Sequence, residues 1–492
     1  MGNDRIFKLT LSGLDCANCA NKIEDRVNRL ELVEEAIERL KNDKTNALEA
    51  TNYEEALKEA ALIEEVKEGE YLKGIPFVCK DNYSTEGIET TASSNVLVGY
   101  VPIFDAEVVA RLKKEGAIML AKSAMDELAM GGTGTTGHKG ITTNPYDEKR
   151  IIGGSSSGSC SLVTSAAVPF ALGSDTGDSV RKPASHGGIV GFKPTWGRIS
   201  RFGLFPFAPS LDTIAYFTRS VEDQAILTNV LSGYDEKDMS SSTREVEDYL
   251  SYLSKEDTPK RVGYFKEVID AIEDKNIVNS FKKLLESLKK KGYEVKEYSF
   301  SKELLDALYP TYMIISCAEA TSNDANLDGI KFGIRPTLEE KTWEEYMTSA
   351  RTRGFSSLIK RRFIIGSFSL LAENQKDLFL RAQKARHLIV DAMNEFYKEH
   401  DYLLLPCGGH VAPLISSISN KWNSKPDFVE NHLGIANLAG LPSLTVPLDF
   451  EDGLPFGVNI TGRQFEEGNV LKLGYDIENI TGLRNVSSRK GE

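Results

Sequence analysis

The stretch Gly173-Ser-Asp-Thr-Gly-Asp-Ser-Val-Arg-Lys-Pro183 decides how this chain is read. It follows an apolar run, Val168-Pro-Phe-Ala-Leu172, that suits a buried strand, so its glycine turn falls at a strand end. In α/β proteins that is where sites are built. A second cluster, Gly153-Gly-Ser-Ser-Ser-Gly-Ser159, lies upstream, with Ser155 and Ser179 24 residues apart. Either cluster alone is most simply a flexible turn. The pair reads instead as backbone that approaches a substrate closely, which glycine permits without steric penalty. The N–H groups of Thr176, Gly177 and Asp178 could then converge on one point as an oxyanion hole.

A serine hydroxyl attacks only when a base takes its proton. The six histidines (138, 186, 387, 400, 410 and 432) lack a recognisable triad context, although His186, seven residues after Ser179, is a candidate on spacing. Lys80 is the better base. It ends Gly74-Ile-Pro-Phe-Val-Cys-Lys80, an apolar run that carries its side chain into a dry interior. To be neutral at pH 7 a lysine must shift from about 10.4 by about 3 units, roughly 4 kcal/mol, and burial supplies shifts of that size. Without the glycine clusters, Lys80 would read as a solvated charge at a strand end.

Outward from these motifs, the chain is a globular one of 492 residues, 41% apolar and 27% charged. Its net charge of −13 repels polyphosphate, which excludes an unaided grip on nucleic acid. Six scattered cysteines form no disulfide framework and suit a reducing compartment. No run approaches ~18 consecutive apolar residues and no signal-peptide pattern opens the chain, so a cytoplasmic protein without membrane contact is expected. Residues 23–41 and 52–66 carry apolar residues at three- and four-residue spacing among Glu and Lys, the pattern of surface helices. From residue 74 to about 233, short apolar runs (117–121, 168–172) alternate with a helix at 106–115. This predicts an α/β fold with a mixed sheet sandwiched by helices. A polar loop covers 234–260. Strands at 261–266 and 293–300, a helix at 275–291 and a helical region at about 303–398 follow. Strands return at 402–405, 443–447 and 455–461, and are expected to complete the same sheet.

The three motifs, in this order and spacing, resemble those of the amidase signature family, and the resemblance runs from about residue 50 to 485 with its core at 74–215. It implies the amidase signature fold, a large mixed β-sheet between helical layers, in one domain over 51–485. Residues 1–50 would be an extension and 486–492 a disordered tail. It also implies a Ser–Ser–Lys triad that hydrolyses amides. By position Ser179 matches the nucleophile, Ser155 the bridging serine after a cis peptide at Gly154–Ser155, and Lys80 the terminal base. Residues 176–179 match the oxyanion hole. One residue departs: Asp178 stands where the family usually has glycine. Its carboxylate would oppose the developing oxyanion unless it points away or Arg181 or Lys182 neutralises it.

Further stretches resemble one branch of that family, the A subunits of glutamyl-tRNA(Gln)/aspartyl-tRNA(Asn) amidotransferases: 123–131, 193–203, 318–322, 328–330 and 360–362. That likeness implies a glutaminase with B and C partner subunits, which would bind aminoacyl-tRNA, ATP and Mg, so that this chain needs no cofactor of its own. It also implies a glutamine pocket in which Arg362 clamps the α-carboxylate, Glu430 pairs with the α-ammonium and Tyr312 lines the wall. Two other readings stay open, a stand-alone amidase on small amides and a non-catalytic paralogue with an oxyanion hole spoiled by Asp178. Gly13-Leu-Asp-Cys-Ala-Asn-Cys-Ala20 is similar to the start of a heavy-metal-associated domain. Its Cys16 and Cys19 are either a soft-metal pair or an inert helix start. No metal site is assigned.

Overall fold

The computed structural model describes residues 17–331, 335, 342–418 and 427–489, without the side chains of 17–26. Eleven strands form one sheet. In chain order they are β1 (Leu48–Thr51), β2 (Pro76–Lys80), β3 (Ile118–Ser123), β6 (Phe170–Asp175), β7 (Val190–Lys193), β8 (Thr213–Thr218), β9 (Arg261–Phe265), β10 (Glu294–Tyr298), β11 (Tyr402–Pro406), β12 (Ser443–Glu451) and β13 (Leu454–Thr461). The remaining two, β4 (Thr143–Asn144) and β5 (Asp147–Ile151), make a separate ribbon. The spatial order is β1-β3-β2-β6-β8-β7-β12-β13-β11-β9-β10. Strands β3, β2 and β6 are parallel, as are β11, β9 and β10, and an antiparallel block joins the two groups. The late strands thus complete the early sheet, as their apolar sequences predict.

Strand periodicity assigns the two faces. Phe77, Cys79 and Met119 point into one core, while Val78, Ile118 and Leu120 point into the other. The second core is covered by α1 (Ala17–Lys41), α2 (Tyr53–Ala61) and, after α3 (Glu107–Lys114) on the first face, by α4 (Ser157–Thr164) and α5 (Arg181–Gly187). The first face also carries α6 (Val221–Leu231), the single turns α7 (Tyr249–Tyr252) and α8 (Lys266–Ala271), and α9 (Lys275–Lys290). The expected helical region then resolves into α10 (Lys302–Asn323), α11 (Trp343–Gly354), α12 (Ser357–Leu370) and α13 (Phe379–Glu399). Two short helices, α14 (Phe428–Asn431) and α15 (Gly434–Leu438), precede the closing helix α16 (Glu467–Thr481).

The expected break at residue 50 falls inside β1. Val33, Ala36, Ile37 and Leu40, spaced along one stripe of α1, are buried with Val78, Ile118 and Leu120. The physical reason is that the Glu-rich composition of this segment describes its outer face only. Cys16 lies outside the described residues, and only the backbone of Cys19 is described, within α1. Residues 490–492 of the expected tail also lie outside them, while Ser488 N donates to the Thr164 carbonyl. Among the described residues no helix is long and apolar enough to cross a membrane.

Candidate active site

The parallel pairing of β2 with β6 sets the site. Phe77 sits opposite Phe170 and Cys79 opposite Leu172, so the two strands end side by side, one at Lys80 and the other at the Thr176–Ser179 turn. Lys80 is fully buried. Its Nζ donates to Ser155 Oγ at 2.8 Å, to Ser174 Oγ at 2.9 Å and to the Ser174 carbonyl at 3.4 Å. Asn82 Nδ2 donates to the same Ser174 hydroxyl at 3.0 Å. Desolvation lowers the Lys80 pKa to about 7, against the opposing pull of Asp126, Asp175 and Asp212. Neutral lysine is therefore well populated at neutral pH, as a base in this role requires.

Ser155 follows a cis peptide at Gly154 and its carbonyl accepts from Asp126 N at 3.0 Å. Asp126 is an organiser the sequence does not single out. Its carboxylate accepts the N–H groups of Thr133, Gly134, Thr135 and Thr136 and the Thr136 hydroxyl. A Cβ on Gly154 would lie 2.0 Å from Asp126 Oδ2, so only glycine fits between loop and turn.

Ser156 N donates to the Ser179 carbonyl at 3.2 Å, which ties the backbone beside Ser155 to the Ser179 turn. No hydrogen bond joins the Ser155 and Ser179 hydroxyls. Among the described residues, no acceptor takes the N–H groups of Thr176, Gly177, Asp178 or Ser179. Four consecutive unpaired N–H groups are rare in buried backbone and leave this turn free to receive an anion. The turn itself is held firmly. Thr176 Oγ1 donates to Asp212, and Val180 N donates to Asp175 Oδ2 at 3.0 Å. Arg181 binds Asp175, the Gly177 and Leu433 carbonyls, and Asn437 Oδ1.

A cavity of about 180 Å³ opens on this turn, lined by Gly131, Gly132, Gly177, Asp178, Leu308, Tyr309, Tyr312, Arg362, Asn431 and Gly434. Helix α10 brings Tyr312 and α12 brings Arg362, whose guanidinium lies 5.6 Å from the Phe207 ring centre. A Cβ on Gly177 would meet the Tyr312 ring at 3.0 Å, so the phenol lies directly over the turn. The structure thus brings Lys80, Ser155, the 176–179 turn, Tyr312 and Arg362 together.

It does not bring Glu430 to the cavity wall. Glu430 is held by Lys182 Nζ at 2.8 Å and Gly409 N at 2.7 Å, and its neighbour Asn431 lines the cavity instead. Burial would raise its pKa, but the Lys182 charge outweighs that and holds it at about 2. Neither the Arg181 nor the Lys182 side chain hydrogen-bonds the Asp178 carboxylate, since both are committed elsewhere; only the Lys182 N–H reaches this residue, at the Asp178 carbonyl. His186 is buried 6.4 Å from the His410 ring, with its pKa lowered to about 3 mainly by desolvation, and it makes no hydrogen bond to Ser179. Among the described residues no group of three His, Cys, Asp or Glu side chains could hold a metal. The four cysteines whose side chains are described, Cys79, Cys160, Cys317 and Cys407, are free and buried.

Comparison with known proteins fits this geometry. Residues 31–471 match the family model "Amidase". The chain is 39% identical over 434 residues to the A subunit of glutamyl-tRNA(Gln) amidotransferase from Persephonella marina, covering 86% of each chain. It is 38% identical over 495 residues to the protein of the same name from Fusobacterium nucleatum, covering 98% of this chain and 99% of that one. The crystal structure of the A subunit from Thermotoga maritima superposes with a TM-score of 0.76 at 32% identity, over 94% of this chain and 96% of that one. A peptide amidase from Stenotrophomonas maltophilia, 24% identical over 96% of this chain and 98% of its own, shares the fold with a TM-score of 0.78. Motif order, strand topology and relatives converge: the chain belongs to the amidase signature family.

Proposed function

We propose that this chain is the glutaminase component of a tRNA-dependent amidotransferase, releasing ammonia from glutamine with Lys80, Ser155 and Ser179. The observation that carries the reading is the cavity that holds Arg362 and Tyr312 and opens on the unpaired N–H groups beside the buried Lys80–Ser155 pair. Neutral Lys80 takes the Ser155 proton while Ser155 takes that of Ser179. Rotation of the Ser179 side chain closes the missing link, since the two backbones are already joined through Ser156 N. The Ser179 oxygen attacks the side-chain amide carbon, and its carbonyl oxygen gains negative charge facing the 176–179 N–H groups. The C–N bond breaks as the proton on Lys80 returns through Ser155 to the nitrogen, and ammonia leaves. Water then cleaves the γ-glutamyl ester by the same relay, regenerating the Ser179 hydroxyl and giving glutamate.

In this reading the ammonia converts Glu-tRNA(Gln) to Gln-tRNA(Gln), with Asp-tRNA(Asn) as an alternative acceptor. Partner B and C subunits in the cytoplasm bind the aminoacyl-tRNA and the ATP and Mg that activate it. The net charge of −13 suits a chain that leaves RNA to its partners. The test is glutamate release from glutamine by the purified chain, with and without those partners. Stimulation by partners and aminoacyl-tRNA is expected, and S179A should lower kcat at least about 1,000-fold. Equal turnover of simple amides with no response to partners would favour a stand-alone amidase. Undiminished activity of S179A would sink the mechanism.

A further inference from the structure

Asp178 is the only carboxylate among the residues lining the active-site cavity, and Arg362 the only cation. The Asp178 carboxylate has no hydrogen-bond donor and no ion-pair partner among the described residues. The two cations nearest in sequence are spent: Arg181 on Asp175, Gly177, Leu433 and Asn437, Lys182 on Glu430 and the Cys407 carbonyl. Glu430, the other acid of this region, has its own cation and a backbone donor and does not line the cavity. A positive group entering the cavity therefore meets one unpaired acid.

We infer that Asp178 receives the α-ammonium of the substrate while Arg362 receives its α-carboxylate, which makes the cavity specific for the amide of a zwitterionic α-amino acid. This deepens the glutaminase reading and rests on it. The position of Asp178 gives the contact a second consequence. Its own N–H belongs to the turn that faces the oxyanion, so an unneutralised carboxylate there opposes the charge developing on the substrate. Desolvation raises its pKa to about 6 against the opposing field of Lys182, so at pH 7.5 it is largely ionised and that opposition is present. A bound ammonium cancels it. An amide without the ammonium binds more weakly and also reacts more slowly, so discrimination appears in kcat as well as in KM.

The test compares glutamine with 4-carbamoylbutanoate, which lacks only the amino group. Full-length wild type, D178N and E430Q are assayed at pH 7.5, alone and with the partner subunits. Because each variant is scored by its own ratio of kcat/KM for the two amides, partial loss of folded protein cancels. Wild type should prefer glutamine by roughly 30-fold or more, the scale of losing one partner of a desolvated charge pair. D178N should bring the ratio to within about threefold of unity, raising KM for glutamine and raising kcat for the analogue. E430Q should keep the wild-type preference. Retention of that preference by D178N, or its loss in E430Q, overturns the inference while leaving the glutaminase reading intact. If wild type hydrolyses no glutamine under any of these conditions, the glutaminase reading itself fails and the inference falls with it.

Discussion

Arg181 grips Asp175 from across the turn that separates them: Nη2 lies 2.9 Å from Oδ1 and Nε 3.1 Å from Oδ2, and both side chains are fully buried. The same Nη2 donates to the Gly177 carbonyl at 2.8 Å, so the ion pair fixes the peptide units whose N–H groups remain unpaired. Asn437 closes the arrangement by donating to the Asp175 carbonyl and carboxylate. Burial would raise the Asp175 pKa, but the Arg181 charge and hydrogen bonds outweigh it and hold it at about 2.

D175N leaves a buried guanidinium without its counter-charge, so a loss of about 3–5 kcal/mol in unfolding free energy is expected from urea titrations at pH 7. The sign of the pH effect follows from the depressed pKa. The pair stabilises the fold above the unfolded-state value of about 3.9 and ceases to do so as pH falls through that value towards 2. Wild type should therefore lose its advantage over D175N across that acid window. A constant difference between the two proteins from pH 7 to 2 would show that Asp175 adds nothing through its charge.

Lys80 predicts the opposite slope. Its folded pKa of about 7 lies below the ordinary value of 10.5, so between those limits the unfolded chain binds a proton that the folded chain does not. Stability contributed by this site rises with pH, and the wild-type-minus-K80M difference should grow by about 1.4 kcal/mol per pH unit between pH 7.5 and 9. Lys193, also buried and lowered to about 7, cancels from that difference because both proteins keep it. K80M should be as stable as wild type or more so near pH 7 and lose at least about 1,000-fold in kcat. In wild type, kcat/KM should climb through pH 7 as the base loses its proton. A flat profile from pH 6 to 8 would rule out Lys80 as the titrating base.

The parts of the site legible in the sequence are those carried by one short segment. Lys80 at the end of an apolar strand, the two glycine–serine clusters and the turn at 176–179 each announce themselves within ten residues, and the β2–β6 pairing then brings them together. What the sequence hides is what long-range partners decide. Glu430 is expected in the glutamine pocket from the family resemblance, yet Lys182, 248 residues away, determines what it faces. Asn437 lies far along the chain, and its place beside the 176–179 turn depends on Arg181, 256 residues away. Composition misleads at the N-terminus, where Glu and Lys mask the buried stripe of α1. Ser174 sits inside the deciding motif without drawing notice, because nothing local reveals that it shares Lys80 with Ser155.

Asp126 tests whether the Ser155 turn is positioned from outside the proposed triad. It gathers four backbone N–H groups of the 133–136 loop, and its carboxylate fills the space a Cβ at Gly154 would need. G154A must push Asp126 off that loop or displace Ser155. Either costs about 1–3 kcal/mol of stability by overpacking, and a displacement of about 1 Å at Ser155 costs roughly 100-fold in kcat. D126N preserves the shape while removing a charge that raises the Lys80 pKa. Its kcat/KM limb should therefore move below that of wild type by some tenths of a pH unit, a shift that a purely structural defect would not produce. If D126N lowers the rate but leaves the limb in place, Asp126 acts only as a scaffold for the loop and its field does not reach the lysine.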